Sequence, residues 1–424
     1  MYDIFSLQDF SFPEGFVWGS STAGHQIEGD NIHSCNWQWE QGWLKNNPKA
    51  EVSGKACNSY NMVDEDVKLL KTLGHQMYRM SVEWCRIQPE EGTFDKQATE
   101  HYVKQLAKLK ENGIKTCITL VHFTMPQWFF EKNGFGNLDN YKYFETYLNY
   151  IVPKISPYVD IWNIFNEFNG GVSDGAREAK FFHVLFHARA YHLIKKYSSA
   201  PISSAHAFVQ FYAKRQHDLF DRRLQEWYDM MHNEFWFHAI RTGELVVPGR
   251  DGIYDKDIKD TCDYWAVNMY VRQMLDARKA DPYTTAYPFV RMQMIGKKFY
   301  WEEFHPETMY TCLTRLTDKP IYVTENGISC DNDDFRIVQI AEYLAAMHAG
   351  IEAGADVKGY LHWSLMDNYE WDSYLPRFGL CDVDFAGDFH RTPKPSAYFY
   401  KDIIEHNGFS QEILRKYLKE MPRL

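Results

Sequence analysis

Eight short β-prone runs alternate with amphipathic helical stretches along the chain, and this alternation restricts the possible folds more than any other feature. The predicted strands cover residues 16–23, 76–84, 115–123, 159–167, 201–209, 264–271, 320–328 and 357–367. Helical stretches lie between several of them, for example at 60–73, 99–112 and 335–350. In residues 99–112, Tyr102, Leu106 and Leu109 recur at helical spacing, and Asn112-Gly113 is typical of a helix end.

Strands that alternate with helices pair in parallel, because the crossover helix returns the chain to the same edge. Eight such units favour the α/β class and a closed (β/α)8 TIM barrel over an open sheet. A doubly wound open sheet normally carries a glycine-rich phosphate turn after an early strand, and the chain has none. No Pro/Gly/Ser-rich linker divides the sequence, so we predict a single catalytic barrel domain over residues 1–424.

Charge and composition exclude several classes of partner. The chain has 46 basic and 57 acidic residues, a formal charge of −11, and no basic run, so we expect no nucleic-acid partner. It has neither an apolar run of about 18 residues, as a membrane helix needs, nor a secretory signal at its start, so we expect no membrane partner. The eight cysteines are scattered without metal-type spacing, which predicts reduced thiols in a cytoplasmic protein. The oligomeric state is not readable.

Polar side chains cluster where the predicted strands end. In a barrel these carboxyl ends surround the mouth of the active site. The residues are Arg79 and Glu83, His122, Asn166 and Glu167, Asn268 and Tyr270, Glu325 and Asn326, and Trp363 and Asp367. A single glutamate at a strand end is often only a salt-bridge partner. Two of them, Glu167 and Glu325, at the ends of the fourth and seventh runs among polar neighbours, favour catalysis.

Two carboxyl groups that flank an anomeric carbon can break a glycosidic bond. In the retaining geometry they stand about 5–5.5 Å apart; one attacks the carbon and the other protonates the leaving oxygen. The charge of the first raises the pKa of the second and keeps it protonated near neutral pH. Arg79 and Tyr270 are groups that would hold a nucleophile ionised and aimed, although Arg79 alone is more often a structural ion pair. Aromatic residues make up 17% of the chain, which suits ring-lined sugar pockets as well as a core.

Six ordered segments, spread over nearly the whole chain, carry a resemblance to a known family. They are 12–29 (FPEGFVWGSSTAGHQIEG), 78–92 (YRMSVEWCRIQPEEG), 166–169 (NEFN), 322–327 (YVTENG), 362–371 with 377–380 (HWSLMDNYEW and RFGL) and 391–400 (RTPKPSAYFY). Together they resemble glycoside hydrolase family 1, the β-glucosidase and β-galactosidase group of clan A barrels.

The resemblance implies a role for each matching residue. Glu167 would be the general acid/base and Glu325 the nucleophile of a retaining β-glycosidase, and the reaction needs no metal and no cofactor. Arg79 and Tyr270 would flank the nucleophile, and Asn166 would bind the sugar 2-hydroxyl. The remaining substrate-binding residues would be Gln26, His122, Asn268, Trp363 beneath the sugar ring, Glu370, Trp371 and Phe378.

The same resemblance bears on the substrate. Family members that act on 6-phosphorylated sugars have a serine at the position of Glu370, with a lysine and a tyrosine shortly after, and this chain has no lysine between Glu370 and Phe378. A carboxylate beside a phosphate is repelled in a poorly solvated pocket. The resemblance therefore implies a small neutral glycoside or short oligosaccharide, with glucose first and galactose or fucose as alternatives.

Some residues depart from the family pattern without removing a catalytic group. Phe168, Asn169 and the Gly170-Gly171 pair are expected where the leaving group sits, which leaves the aglycone preference open. The positions that differ from the usual family residue are Phe123, Thr124, Phe168 and Met269.

Three other functions compete with this reading. A glycan-binding barrel without activity should have lost one glutamate, and both are present. A chain-cutting β-glycanase of the same clan should lack the clamp of Gln26, Glu370 and Trp371. A metal-dependent barrel hydrolase should show a His-x-His strand end, which the chain lacks, and its activity would be sensitive to EDTA.

Overall fold

The computed structural model describes residues 2–170, 174–247, 250–279, 289–290 and 304–423, and its centre is a closed barrel of eight parallel strands. Each strand pairs with the next, and the eighth pairs with the first. The predicted TIM barrel is confirmed, and each predicted run overlaps one strand. The strands are β1 (Val17–Ser21), β2 (Met77–Ser81), β3 (Lys115–Val121), β4 (Ile161–Asn166), β5 (Ile202–Ala213), β6 (Trp265–Leu275), β7 (Ile321–Asn326) and β8 (Val357–Trp363).

Helices connect consecutive strands and cover the outside of the barrel. The predicted helices at 60–73, 99–112 and 335–350 correspond to the helices Val63–Thr72, Lys96–Glu111 and Asp333–Glu352. In chain order the helices are α1 (Gly24–Ile27), α2 (Cys35–Asn46), α3 (Val63–Thr72), α4 (Trp84–Ile87), α5 (Lys96–Glu111), α6 (Gln127–Phe130), α7 (Tyr141–Ile155), α8 (Asp174–Ile194), α9 (Leu219–Asp229), α10 (Phe235–Thr242), α11 (Glu307–Arg315), α12 (Asp333–Glu352), α13 (Pro395–His406) and α14 (Gln411–Tyr417).

Helix α5 shows how the local sequence sets these elements. The carboxylate of Asp95 accepts hydrogen bonds from the backbone N–H groups of Gln97 and Ala98 at 2.7 and 3.0 Å and so caps the helix start. Such a cap contributes about 1 kcal/mol. Tyr102, Leu106 and Leu109 are fully buried against the barrel, as their spacing predicts.

Strands β5 and β6 are longer than predicted. They stay paired as far as Ala213 and Leu275, beyond the expected ends at 209 and 271. Phe211, Tyr228 and Leu275 form a small separate cluster on this extension. The two strands therefore extend beyond the rim of the barrel, and β5 is the one that lies next to β4.

Short antiparallel strands tie the chain ends and loops together. Phe10–Ser11 pairs with Gly408–Phe409, and the side chain of Asn407 bonds to the carbonyl of Phe12 at 2.8 Å and to the indole of Trp18 at 2.9 Å. The other short pairs are Glu244–Leu245 with Ile253–Tyr254, Phe289–Val290 with β6, and Cys381–Val383 with Arg391–Pro393.

All eight cysteines carry free thiols, and seven of them are buried. Within the described ranges, no helix has the length and apolar character that crossing a membrane requires.

Candidate active site

The structure brings the predicted site residues together at the carboxyl ends of the barrel strands. Each belongs to a strand end or to the loop that follows it, which is where a TIM barrel places its chemistry. Arg79 lies in β2, His122 after β3, Asn166 and Glu167 at the end of β4, Asn268 and Tyr270 in β6, Glu325 in β7, and Trp363 at the end of β8.

Glu325 is held by two donors, one on each carboxylate oxygen. A guanidinium N–H of Arg79 forms a buried ion pair with Oε1, and the hydroxyl of Tyr270 donates to Oε2 at 2.7 Å. Burial alone would lower the pKa of Arg79, but the charge and hydrogen bond of Glu325, together with the smaller effects of Cys117 and Glu167, raise that pKa on balance. Arg79 is also anchored by hydrogen bonds to Asn166 at 2.6 Å and Thr119 at 3.1 Å. The carboxylate is thus fixed in orientation beside a permanent positive charge.

Glu167 has a different environment. Its side chain is half-buried, and Oε1 accepts a hydrogen bond from the amide of Asn268 at 2.8 Å. Burial raises the pKa of Glu167 to about 7, and the nearby charge of Glu325 acts in the same direction. Glu167 also has a left-handed backbone, with φ of +46°, which is rare for a residue with a side chain. Glu167 is therefore suited to release a proton near neutral pH, whereas Glu325 is oriented by Arg79 and Tyr270.

The hydrogen bonds around Asn166 determine the tautomer of His122. Arg79 and Asn268 both donate to Oδ1 of Asn166, at 2.6 and 3.0 Å, so its amide nitrogen must face Nε2 of His122 at 3.1 Å. Burial lowers the pKa of His122 well below its usual range, so the ring is neutral and Nε2 accepts. The proton is then on Nδ1, a buried atom with no hydrogen-bond partner among the described residues.

Thr324 is a residue of the site that the sequence did not indicate. Its hydroxyl donates to Oδ1 of Asn268 at 2.7 Å, and this turns the amide nitrogen of Asn268 toward Glu167. Thr324 directly precedes Glu325, and strand alternation would send the two side chains to opposite faces. The pairing register of β7 shifts between Val323 and Glu325, which allows both to serve one site.

A second group of residues forms a clamp around Glu370. The indole N–H of Trp363 donates to Oε1 at 3.1 Å, and the amide of Gln26 donates to Oε2 at 3.0 Å. Gln26 is itself held by Asn368 and the carbonyl of Tyr369, both at 2.9 Å. Burial raises the pKa of Glu370 to about 8. The carbonyl oxygen of the Gln26 side chain is buried and finds no hydrogen-bond partner within the described ranges.

Aromatic rings complete the walls. Trp371 stacks on His25 and His122 with ring centroids 6.0 Å apart in each case, and Trp363 stacks on His122 at 5.9 Å. Phe378 meets Tyr270 edge-on at 6.0 Å and packs with Trp363. These contacts join the clamp to the carboxylate pair, so all twelve predicted site residues belong to one connected cluster.

Three polar strand ends do not join this cluster. Glu83 accepts hydrogen bonds from Ser81, Asn31 and Thr124 at 2.7–2.9 Å and so links three loops. Asp367 pairs with Lys394, and the amide of Asn326 bonds to the carbonyl of Met269. Their role is structural, and this corrects the expectation that each strand end supplies chemistry.

The expected leaving-group segment also needs correction. Asn169 is fully buried, and its side chain bonds to backbone groups, so it does not face a leaving group. Phe168 is half-buried and packs on His183 and Trp236 with ring centroids 5.6 and 5.0 Å away. Gly170 is exposed, and Gly171 lies outside the described residues.

The arrangement has no metal centre in the part of the chain that the structure describes, where no three His, Cys, Asp or Glu side chains are grouped to hold an ion. It consists of three carboxyl groups, those of Glu167, Glu325 and Glu370, with fixed hydrogen-bond donors and acceptors and flat rings.

Comparisons with known proteins agree with this architecture. The profile of Glycosyl hydrolase family 1 matches residues 8–409. Beta-glucosidase A of Acetivibrio thermocellus is 30% identical over 95% of this chain and 100% of its own length, and a Beta-galactosidase of Pyrococcus woesei is 26% identical over 96% and 100%. The solved structure of a beta-glycosidase from Pyrococcus horikoshii has a TM-score of 0.87 and 29% identity, covering 97% of this chain and 99% of that one. The chain therefore belongs to glycosyl hydrolase family 1.

Proposed function

We propose that this protein is a retaining β-glycosidase that removes terminal, non-reducing, β-linked neutral sugars by double displacement. The observation that carries the proposal is the contrast between the two glutamates. Glu325 is paired with Arg79 and bonded to Tyr270, whereas burial raises the pKa of Glu167 to about 7. One site thus holds an aimed carboxylate and a protonated acid, the pair that glycoside cleavage requires.

In the first step Glu325 attacks the anomeric carbon as the bond to the leaving oxygen breaks. Glu167 gives its proton to that oxygen, and the sugar becomes an ester on Glu325. Tyr270 and Arg79 keep the attacking carboxylate oriented, since each binds one of its oxygens. The aglycone leaves as the free alcohol.

In the second step Glu167 acts as a base. Formation of the ester removes the charge of Glu325, which contributes to the raised pKa of Glu167, so that pKa falls. Glu167 can then take a proton from water, whose oxygen attacks the anomeric carbon and releases Glu325. Two inversions at one carbon leave the anomeric configuration unchanged.

The sugar itself would be held by groups whose hydrogen-bonding capacity is unused within the described protein. Nδ1 of His122 can donate and Oε1 of Gln26 can accept, and both atoms are buried without a protein partner. A buried polar atom left unpaired costs about 1–3 kcal/mol. Sugar hydroxyls donate and accept equally well and would satisfy both atoms, with Trp363 as the flat surface beneath the ring.

A neutral sugar fits the clamp better than a phosphorylated one. Glu370 would face the sugar, and the only basic residue in the sequence from 372 to 378 is Arg377. Arg377 lies 3.5 Å from the carboxylate of Asp367 and over the ring of Phe385. No cation from this segment is therefore directed toward a phosphate that would lie beside Glu370. Glucose is the first candidate, and galactose and fucose are the alternatives.

We further propose that the protein acts on small glycosides or short oligosaccharides in the cytoplasm. The support for this location is the set of eight free thiols, since a reducing compartment keeps thiols from forming disulfides.

The test measures release of nitrophenol from nitrophenyl α- and β-glucosides, β-galactoside, β-fucoside and the 6-phosphorylated β-glucoside. Wild type is compared with Glu325→Gln and Glu167→Gln, and Glu352→Gln at the exposed end of α12 serves as a matched control. We expect turnover of neutral β-glycosides only, with no activity left in Glu325→Gln and a loss of about 10²–10⁴-fold in Glu167→Gln. Proton NMR of the first-formed sugar should show the β-anomer.

Two results would contradict the proposal. A folded wild type that binds glycosides without turning them over would indicate a binding barrel. Turnover that persists in Glu325→Gln, or that EDTA abolishes, would indicate a different catalytic centre.

A further inference from the structure

Strand β5 continues beyond the end of its neighbour β4, and this leaves one edge of β5 without a strand partner among the residues that the structure describes. The last paired residues are Asn166 of β4 and Ala205 of β5, after which the N–H of Glu167 donates to the carbonyl of Ala205 at 2.8 Å. The next β5 residues whose backbone groups face this edge are Ala207 and Val209. Buried backbone groups of this kind need hydrogen-bond partners from elsewhere.

Side-chain amides supply those partners. Asn169 accepts from the N–H of Ala207 at 3.0 Å and donates to its carbonyl at 2.9 Å, as a paired strand residue would. Asn233 bonds to Val209 in the same way: it donates to the carbonyl of Val209 at 2.8 Å and accepts from its N–H at 3.4 Å. The two asparagines continue the ladder of β5 where the backbone of β4 has turned away.

Asn169 also reaches a second element. Its amide nitrogen donates to the carbonyl of His232 at 3.0 Å, in the π-helical turn Met230–Glu234. The side chain is fully buried, so water cannot replace these bonds. Residue 169 is therefore pinned both to β5 and to the turn that precedes α10.

Glu167 lies between these two attachment points. Its N–H is fixed to Ala205, and two residues later the side chain of Asn169 is fixed to Ala207. The backbone of Glu167 between them is left-handed, a conformation that a residue with a side chain adopts when its surroundings impose it. This turn aims the carboxyl group at Asn268.

We infer that Asn169 is a positioning residue for the acid/base: by completing the β5 ladder it holds the turn that presents Glu167 to the leaving oxygen. The inference rests on the proposed function. Asn169 touches neither Glu325 nor the Glu370 clamp in any described contact, so its loss should impair proton transfer and spare nucleophilic attack and sugar binding.

The test compares Asn169→Ala with wild type on two β-glycosides of the preferred sugar, a dinitrophenyl glycoside and an alkyl glycoside. The dinitrophenolate departs without a proton, whereas the alkoxide needs one. We expect kcat/KM to fall about 10–100-fold for the alkyl glycoside and less than about threefold for the dinitrophenyl glycoside. Azide attacks the glycosyl ester without a base, so it should raise kcat of the variant on the dinitrophenyl glycoside and yield the glycosyl azide. Glu167→Gln removes the acid/base itself, so it should show the largest difference in kcat/KM between the two glycosides and the largest response to azide.

Asn140→Ala is the matched control. The buried amide of Asn140 also pins backbone carbonyls, those of Lys132 and Gly134 at 2.7 and 2.8 Å, but it makes no described contact with Glu167. The Asn140→Ala variant should lose stability without changing the ratio of kcat/KM between the two substrates. If Asn169→Ala does not fold, Asn169→Asp carries the same test, because it keeps the acceptor for Ala207 and loses both amide donors.

The outcomes separate the two proposals. Equal losses on both substrates, or no response to azide, would overturn the role of Asn169 while the enzyme assignment stands. A wild type inactive on both glycosides would overturn the proposed function first and the positioning role with it.

Discussion

The amide of Asn268 donates to Oε1 of Glu167 at 2.8 Å, and Thr324 fixes the orientation of that amide. Such a bond stabilises the carboxylate and so lowers the pKa that burial raises to about 7. The acid must be protonated for the first step, so kcat/KM should fall as the pH rises through neutrality.

Replacing Asn268 by leucine should move this alkaline limb upward. The substitution removes the donor without opening a large gap, so the protonated form persists to higher pH, by roughly one unit if the bond contributes about 1.5 kcal/mol. The measurement is kcat/KM of a β-glucoside against pH. Asn149→Leu, which changes an exposed asparagine bonded to Tyr197, should leave the limb in place. A limb that moves to lower pH would contradict this account of Glu167.

Tyr270→Phe should reduce kcat about 10–100-fold with little change in melting temperature. The substitution deletes the hydroxyl that holds Oε2 of Glu325 and leaves the ring packed on Phe378. Tyr264→Phe is the matched control, because its hydroxyl bonds to Trp162 and Asn163 below the site. That variant should lose about 1–3 kcal/mol of stability and keep its kcat. An unchanged kcat in Tyr270→Phe together with a reduced kcat in Tyr264→Phe would show that Tyr270 has no part in the mechanism.

Glu370→Gln should raise KM for a neutral β-glucoside and lower kcat/KM about 10–100-fold. Both carboxylate oxygens accept N–H groups, from Trp363 and Gln26, and the amide nitrogen of glutamine would oppose one of these donors. Steady-state kinetics measure the effect, and Glu352→Gln, with a largely exposed side chain, should have none. An unchanged KM would show that the clamp does not touch the sugar.

Lys394→Met should destabilise the loop that carries the clamp. Lys394 donates to both oxygens of Asp367 and to the carbonyl of Gly379, each at 2.9 Å, and Asp367 is fully buried. Removing one partner of a buried ion pair costs about 3–5 kcal/mol. Lys358→Met breaks a half-exposed pair with Asp356 and should cost at most about 1 kcal/mol. Thermal denaturation compares the two variants. Equal decreases in melting temperature would contradict the claim that the buried ion pair contributes more to stability than the half-exposed one.

The barrel could be predicted because its signals are local and repeated. Strand β3 begins at residue 115 as expected, and α12 starts two residues before its predicted boundary because Asn332 caps it. Strands β5 and β6 exceed their predicted ends because each lengthens against the other, a tertiary pairing that no single run of sequence reveals.

The candidate site was predictable where a residue type identifies its chemistry, as for Glu167, Glu325 and Arg79. Residue type does not reveal the two further orienting residues, Thr324 and Asn169. Thr324 depends on a shift in strand register, and Asn169 depends on where β4 ends relative to β5. An asparagine after a strand is ordinarily a solvated turn residue, and burial alone gives this one its role.

The pairing of β8 with β1 has a consequence for how the chain is made. Val17–Ser21 leaves the ribosome long before Val357–Trp363, which is one of its two neighbours in the barrel. At about 5–20 residues per second, its free edge waits roughly 20–70 s for that neighbour. Until then the nascent chain is an open sheet whose unpaired edge can pair with another chain. High-level expression should therefore cause incomplete chains to aggregate more readily than the closed barrel does.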